Sequence, residues 1–241
     1  MRLDSFCYTN VGGREENQDA VGCREEGANG LYVVADGLGG HQAGHLAAQC
    51  AVYTLKKLWE PETPETPEHF AGLFGAVNEA ILAVQEETRC MTKTTAVALS
   101  VQGDRAVWAH TGDSRLYCLR GDKIAAWTDD HSVAYKKYKA GEITREQIAS
   151  DEDQCCLLRA LGGPTRFEPD MGSAEGLQPG DAFLLCTDGM WEYLLDGEIL
   201  VDCLKAASAE EWARLLLLRA AERIRPGNDN LSLITVMLHA E

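Results

Sequence analysis

Four aspartates stand where an extended, apolar run of the chain breaks into a glycine or asparagine turn. They are Asp36 in Val33-Val34-Ala35-Asp36-Gly37, Asp113 in Thr111-Gly112-Asp113-Ser114, Asp188 in Leu184-Leu185-Cys186-Thr187-Asp188-Gly189, and Asp229 in Gly227-Asn228-Asp229-Asn230. A carboxylate at the end of a buried strand is costly unless it is paired or holds a cation. Four at equivalent places predict one shared site, and oxygen-only donors suit magnesium or manganese, where zinc prefers His and Cys. Two such ions roughly 3.5–4 Å apart can hold a bridging hydroxide and clamp a phosphoryl group for in-line attack. Asp36 is the candidate bridging ligand, because Asp-Gly at a strand end frees the Gly37 carbonyl for the same ion, and Asp188 and Asp229 complete the pair. A single Asp-Gly is more often a plain turn; the argument comes from the set. Upstream, Arg14-Glu15-Glu16-Asn17-Gln18-Asp19 offers a guanidinium whose fork matches phosphate oxygens. Alone, that hexapeptide reads as a solvated charge cluster.

These residues need a scaffold that brings distant strand ends together. Short apolar or alternating runs bounded by turn residues predict strands at Leu31–Asp36, Thr94–Val101, Arg105–Gly112, Arg115–Arg120, Lys123–Thr128, Asp181–Asp188 and Leu231–His239. Gln102-Gly103-Asp104 and Arg120-Gly121-Asp122 are tight-turn sequences with no room for a crossover helix, so their neighbours pair antiparallel and a parallel dinucleotide-binding sheet is disfavoured. Helical periodicity marks Ala43–Trp59, Glu68–Glu87, Glu198–Ala206 and Glu210–Ile224, with a proline-rich surface loop at Pro61–Pro67. Ser132–Ser150 predicts two short polar helices that interrupt the strand series, a candidate flap.

The 241 residues contain 22 Lys and Arg against 38 Asp and Glu, a net charge of −16 that opposes nucleic acid or an anionic membrane surface as partner. With no linker-like stretch, the chain reads as one domain, residues 1–241. The start lacks the apolar core of a signal peptide, and no run is long enough to span a membrane, so the expected location is the cytoplasm. Nine cysteines without a Cys-x-x-Cys pair, several within apolar runs (Cys50, Cys118, Cys186), read as free buried thiols.

Taken in order, Arg14…Gln18-Asp19, Ala35-Asp36-Gly37-Leu38-Gly39-Gly40-His41…Gly44, Thr94-Thr95, His110-Thr111-Gly112-Asp113-Ser114-Arg115, Asp130-His131-Ser132, Leu158-Arg159-Ala160-Leu161-Gly162, Cys186-Thr187-Asp188-Gly189 and Gly227-Asn228-Asp229-Asn230 resemble the bacterial metal-dependent type 2C (PPM) serine/threonine protein phosphatases. The resemblance spans nearly the whole chain. It implies an α+β fold, a four-layer α/β/β/α sandwich of two antiparallel sheets flanked by helix pairs, with the metal cleft at one end. It also implies hydrolysis of phosphoserine and phosphothreonine without a phosphoenzyme, reversing a bacterial serine/threonine kinase, by a monomer. Carried over by position, Asp36 bridges two Mn2+ or Mg2+ ions, Gly37 lends its carbonyl, Asp188 and Asp229 are ligands, and Asp113 belongs to a third ion. Asp19 holds metal-bound water and Arg14 grips the phosphate.

Two positions depart from the family pattern. Gln18 stands where many members carry Glu, and Lys93 precedes Thr94-Thr95 where glycine is usual. They leave open a binding module that captures phosphoproteins without turnover; a phosphatase of small phosphometabolites shares the metals and differs in the groove and flap. His41 is a candidate general acid, or a cap of the helix that follows. His41 and His45 stand i, i+4 but lack the glutamate of a zinc-peptidase motif. No P-loop is present, no cysteine has an arginine six residues on, and Ser114 lacks a nucleophile elbow.

Overall fold

The structure is a computed structural model and describes residues 1–39, 44–63, 65–163 and 168–240. Among the described residues, eleven strands form two antiparallel sheets. One holds β1 (Arg2–Asn10), β11 (Leu231–His239), β10 (Ala182–Cys186), β7 (Arg115–Arg120) and β8 (Lys123–Trp127), in that order. The other holds β2 (Asp19–Glu26), β3 (Asn29–Leu38), β5 (Ala96–Gln102), β6 (Arg105–Thr111) and β9 (Asp170–Glu175), with the two-residue β4 (Lys93–Thr94) paired to the end of β3.

Three apolar layers hold the sheets and helices together. Between the sheets, Tyr32, Val34, Val97 and Leu99 meet Leu116, Phe183, Leu185, Ile234 and Val236. The alternate residues of the same strands face outward and are also buried: Leu31, Val33 and Ala98 lie under α1 (Gly44–Leu58) and α2 (Pro67–Thr88). Leu184, Leu233 and Met237 lie under α5 (Asp196–Lys205) and α6 (Ala209–Arg223). This burial on both faces explains why the central strands read as continuous apolar runs. On α1 the stripe Ala47, Ala48, Ala51, Val52 and Leu55 faces the sheet at helical spacing. Thr66 caps α2 by accepting the His69 N–H, with Pro67 at its first position, and Ser208 caps α6 by accepting the Glu211 N–H. Trp59 and Trp212 are fully buried in opposite outer layers, and each satisfies its indole N–H, to Ser100 Oγ at 2.9 Å and to the Ile199 carbonyl at 3.2 Å. Truncating either to alanine removes about 3–5 kcal/mol.

The expected four-layer sandwich is present with all seven expected strands, of which Thr94–Val101 divides at Thr95 into β4 and β5, and three strands were not foreseen: β1, β2 and β9. β3 runs two residues past Asp36, and Asp188 opens the short helix α4 (Asp188–Trp191). The polar insertion contains α3 (Val133–Ala140), capped by Ser132, and a single 3-10 turn at Ile148–Ser150 in place of a second helix. Ala134, Tyr135 and Ile148 are buried against the layer under α5 and α6. The cysteines are unpaired as expected, but Cys90, Cys155 and Cys156 are exposed. No helix among the described residues is long and apolar enough to cross a membrane.

Candidate active site

The ends of β3, β6 and β10 and the start of β11 open into a cleft of about 870 Å³ at one end of the sandwich. Its lining includes Arg14, Gln18, Asp36, Gly37, Asp113, Asp188 and Asp229. Residues far apart in sequence therefore meet at one place. Asp19 lies beneath, paired in register with Asp36 across β2 and β3. His41 falls outside the described residues.

Backbone geometry aims the carboxylates. Asp36 N–H donates to Thr95 Oγ1 at 3.1 Å, and Thr95 Oγ1 in turn meets Ser114 Oγ at 2.7 Å, tying the Asp36 strand to the Asp113 turn. Gly112, immediately before Asp113, has φ +98°, and a Cβ there would lie 2.5 Å from the Thr95 side chain. Both conformation and space require glycine. At the other side of the cleft, a Cβ on Gly37 would come within 2.3 Å of the Gly44 carbonyl oxygen, so Gly37 lets the start of α1 approach the end of β3. Gln18 contributes through its backbone: its carbonyl accepts Gly37 N–H at 3.2 Å and its N–H donates to Asn230 Oδ1 at 2.8 Å. Lys93 sits opposite Leu38 in β4 and the strand entry is regular despite the absence of glycine.

Asp229 is the one of the acids that a fixed cation neutralises. Arg14 Nε and its terminal nitrogen donate to the two oxygens of Asp229 at 3.0 and 2.7 Å, and Asn230 N–H also reaches Oδ1 at 2.8 Å. Arg14, expected to face a phosphate, thus holds a carboxylate in this structure. Asp188 accepts Gly189 N–H at 2.8 Å and a long contact from Gln154 Nε2 at 3.4 Å. Thr187 Oγ1 donates to Asp19 Oδ2 at 3.0 Å. Asp113 is 3% exposed, and its Oδ1 has no hydrogen-bond partner within the protein.

Burial pushes Asp36 and Asp113 well above the usual carboxylate range, and the neighbouring acids, Asp188 foremost, push in the same direction. Asp188 is raised by burial and by Asp229. Burial raises Asp19 to about 7 in spite of the hydroxyls of Ser232 and Thr187, which favour its charged form. Crowded carboxylates that raise one another's pKa, all-oxygen donors and an orphaned buried oxygen on Asp113 fit hard divalent ions.

A second cluster, His110, His131 and Asp170, places one ligand atom from each residue within 4.8 Å of the others. Its hydrogen bonds argue against an ion there. His131 Nδ1 accepts Gly112 N–H at 3.1 Å, so Nε2 carries the proton and faces Asp170 Oδ2 at 3.2 Å, while Arg159 reaches Asp170 Oδ1 at 2.6 Å. The His131 backbone N–H also donates to the Gly112 carbonyl at 2.9 Å. Ring and backbone together clasp the glycine that positions Asp113.

Sequence reasoning gave no role to His131, Asn230 or Gln154. Asn230 Nδ2 donates to the carbonyls of Val11 and Glu16 at 2.8 and 3.0 Å, fixing the loop that carries Arg14. The signal available was an asparagine directly after a proposed ligand at a strand start, a position where its amide bonds nearby backbone. Gln154, Cys155 and Leu157 reach the site from just beyond the segment expected as a flap.

A family profile described as protein phosphatase 2C matches residues 10–224. Over 204 residues the chain is 32% identical to the protein phosphatase PhpP of Streptococcus pneumoniae, covering 82% of each chain. The crystal structure of the Mycobacterium tuberculosis serine/threonine phosphatase PstP/Ppp superposes with a TM-score of 0.86 at 30% identity, covering 99% of each chain. That of the catalytic domain of the serine/threonine protein phosphatase PstP, in complex with two manganese ions, superposes with a TM-score of 0.82 at 30% identity, again over 99% of each chain. The cleft, the order of its acids and these similarities lead to one assignment: the chain belongs to the protein phosphatase 2C family.

Proposed function

We propose that this protein is a manganese- or magnesium-dependent phosphatase that hydrolyses phosphoserine and phosphothreonine in proteins. The observation that carries the reading is the convergence of Asp36, Asp113, Asp188 and Asp229 on one cleft, with Asp113 Oδ1 buried and unpartnered. Asp36, Asp188, Asp229 and the Gly37 carbonyl would hold two core ions, and Asp113 a third. Bound there, such ions lower the pKa of water and stabilise charge on a transferring phosphoryl group.

The chain's own groups do the rest. Asp19, held by the Thr187 hydroxyl, would hold a metal-bound water. Arg14 is more than half exposed at its side chain and its bridge to Asp229 is a surface one, cheap to break. Released from that carboxylate, its fork matches two oxygens of a phosphomonoester. His41 is the proposed proton donor to the departing serine or threonine oxygen. The substrates are phosphorylated proteins, with a bacterial serine/threonine kinase as the opposing enzyme, and the working form is a cytoplasmic monomer.

Purified protein with manganese should release phosphate from a phosphothreonine peptide, stop with EDTA and recover when manganese is restored. Tight phosphopeptide binding with no release under either metal would overturn the reading in favour of a binding module, and turnover of sugar phosphates alone would replace its substrate class.

A further inference from the structure

β1 and β2 are the edge strands of the two sheets, lying one above the other on the same side of the sandwich without backbone pairing between them. Their facing side chains step past one another in antiparallel sense. Ser5 Oγ donates to Glu25 Oε1 at 2.6 Å, and Asn17, just before β2, reaches Thr9 Oγ1 at 2.7 Å. Two residues on from Ser5 and two back from Glu25, Cys7 stands opposite Cys23 across the two strands, and the two thiols are close enough to influence one another's acidity. Both are half-buried at the margin of the layer between the sheets, so small solutes reach them.

The two thiols are not equivalent. The neighbouring Cys7 thiol, with Lys56 assisting, draws Cys23 down against the opposing effects of burial and Glu25. Cys7 is raised by the same neighbour and by burial. A thiolate beside a second thiol, both reachable from solvent, is the arrangement that reacts with a peroxide and then closes a disulfide. Cys50, Cys118, Cys155, Cys186 and Cys203, by contrast, are raised by burial.

We propose that Cys7 and Cys23 are a redox-active dithiol that a hydroperoxide converts to a disulfide, joining the two sheets covalently at their shared edge. Cys23 sulfur attacks the peroxide; an S–O bond forms, the O–O bond breaks, and the leaving oxygen departs as an alcohol, or as water from hydrogen peroxide. Cys7 sulfur then attacks Cys23 sulfur; the S–S bond forms, the S–O bond breaks, and hydroxide leaves with the Cys7 proton as water. Two thiols lose two electrons and the hydroperoxide gains them. A small thiol reverses the reaction. The closed ring contains Arg14 and Asp19, so the bond ties down the segment that carries both.

The full chain, loaded with magnesium, is treated with hydrogen peroxide and analysed as intact protein and as non-reduced peptides. The expected product is lighter by two hydrogens, contains a peptide pair joining Cys7 to Cys23, melts about 5–10 °C higher and reverts with dithiothreitol. In Cys7→Ser, Cys23 should stop at a sulfenic acid that dimedone traps. In Cys23→Ser, Cys7 should stay reduced. A bridge that excludes both residues, or full alkylation of Cys7 and Cys23 after peroxide treatment, would overturn the proposal, as would the same product in either serine variant.

Discussion

Asp113 and Asp130 are buried carboxylates that flank the β7–β8 hairpin at its open end, 3% and 5% exposed, and the protein treats them in opposite ways. Asp130 is closed. Both its oxygens accept from Arg115, at 2.8 and 2.7 Å, while the guanidinium lies 3.5 Å from the Trp191 ring centre and also donates to Tyr117. Asp113, two residues from that same arginine, keeps an oxygen with no partner. Desolvation makes either state expensive unless a countercharge is present. One acid carries its counterion in the sequence and serves the fold; the other lacks one within the protein, and under the proposed function would take a cation that can exchange. Position in the fold and burial do not distinguish them, so partner accounting does.

Changes on the two sides of this divide should separate cleanly. Asp36→Asn should cut kcat/KM by on the order of 10³-fold, since even partners outside a metal's own ligands are worth 10–100-fold in affinity or activity. It should leave the metal-free protein at least as stable, because it removes one of several mutually repelling charges; loss of folding by circular dichroism would contradict that. Arg115→Met leaves Asp130 buried and unpaired and should cost about 3–5 kcal/mol, lowering Tm by roughly 10 °C with or without metal. An effect of that size confined to the metal-loaded protein would place Arg115 in the site instead.

Acidity gives a third probe. Asp19 binds its proton more tightly folded, with a pKa near 7 against 3.8, so the stability this contributes is present at low pH and lost as pH rises through 7. Asp36, Asp113 and Asp188 shift the same way. Metal-free protein should therefore melt higher at about pH 5 than at about pH 8, and saturating manganese should flatten or reverse the trend. Glu198, held down to about 2 by Arg223, works in the opposite sense and only below that range, so it leaves the comparison undisturbed. The smallest effect belongs to Asp113→Asn, which should lower turnover about tenfold while two ions stay bound, counted by elemental analysis; loss of the core ions would make Asp113 one of their ligands.

The acids were legible because each interrupts a buried apolar run, and such runs are long in strands covered on both faces. β1, β2 and β9 were not, for the reason that makes them edges. Arg2–Asn10 and Asp170–Glu175 are half exposed and mixed in polarity, and in β2 Gly22 stands against Val52 and Lys56 of α1, where any Cβ would collide. Pairing of Asp19 with Asp36 was invisible without β2. Arg14 was identified as a candidate ligand-binding residue, but not its hold on Asp229, since a 215-residue separation carries no local signal. The clasp of His131 on Gly112 belongs to the same category: both hydrogen bonds join turns that only tertiary folding brings together.

Asn230 binds the backbone of Val11, Glu16 and Gln18, and Arg14 reaches Asp229, so the loop between β1 and β2 is held largely by the turn that leads into β11. During synthesis the ribosome must pass Asn230, and release it from the exit tunnel, before Arg14, Asp19 and Asp36 can be held in one place. The sheet that contains β2, β3, β5, β6 and β9 can already have paired by then, while β1 still lacks its partner β11. A nascent chain should therefore be catalytically silent until that turn has emerged, and a truncation before residue 228 should abolish activity, since it also removes the strand that joins β1 to β10.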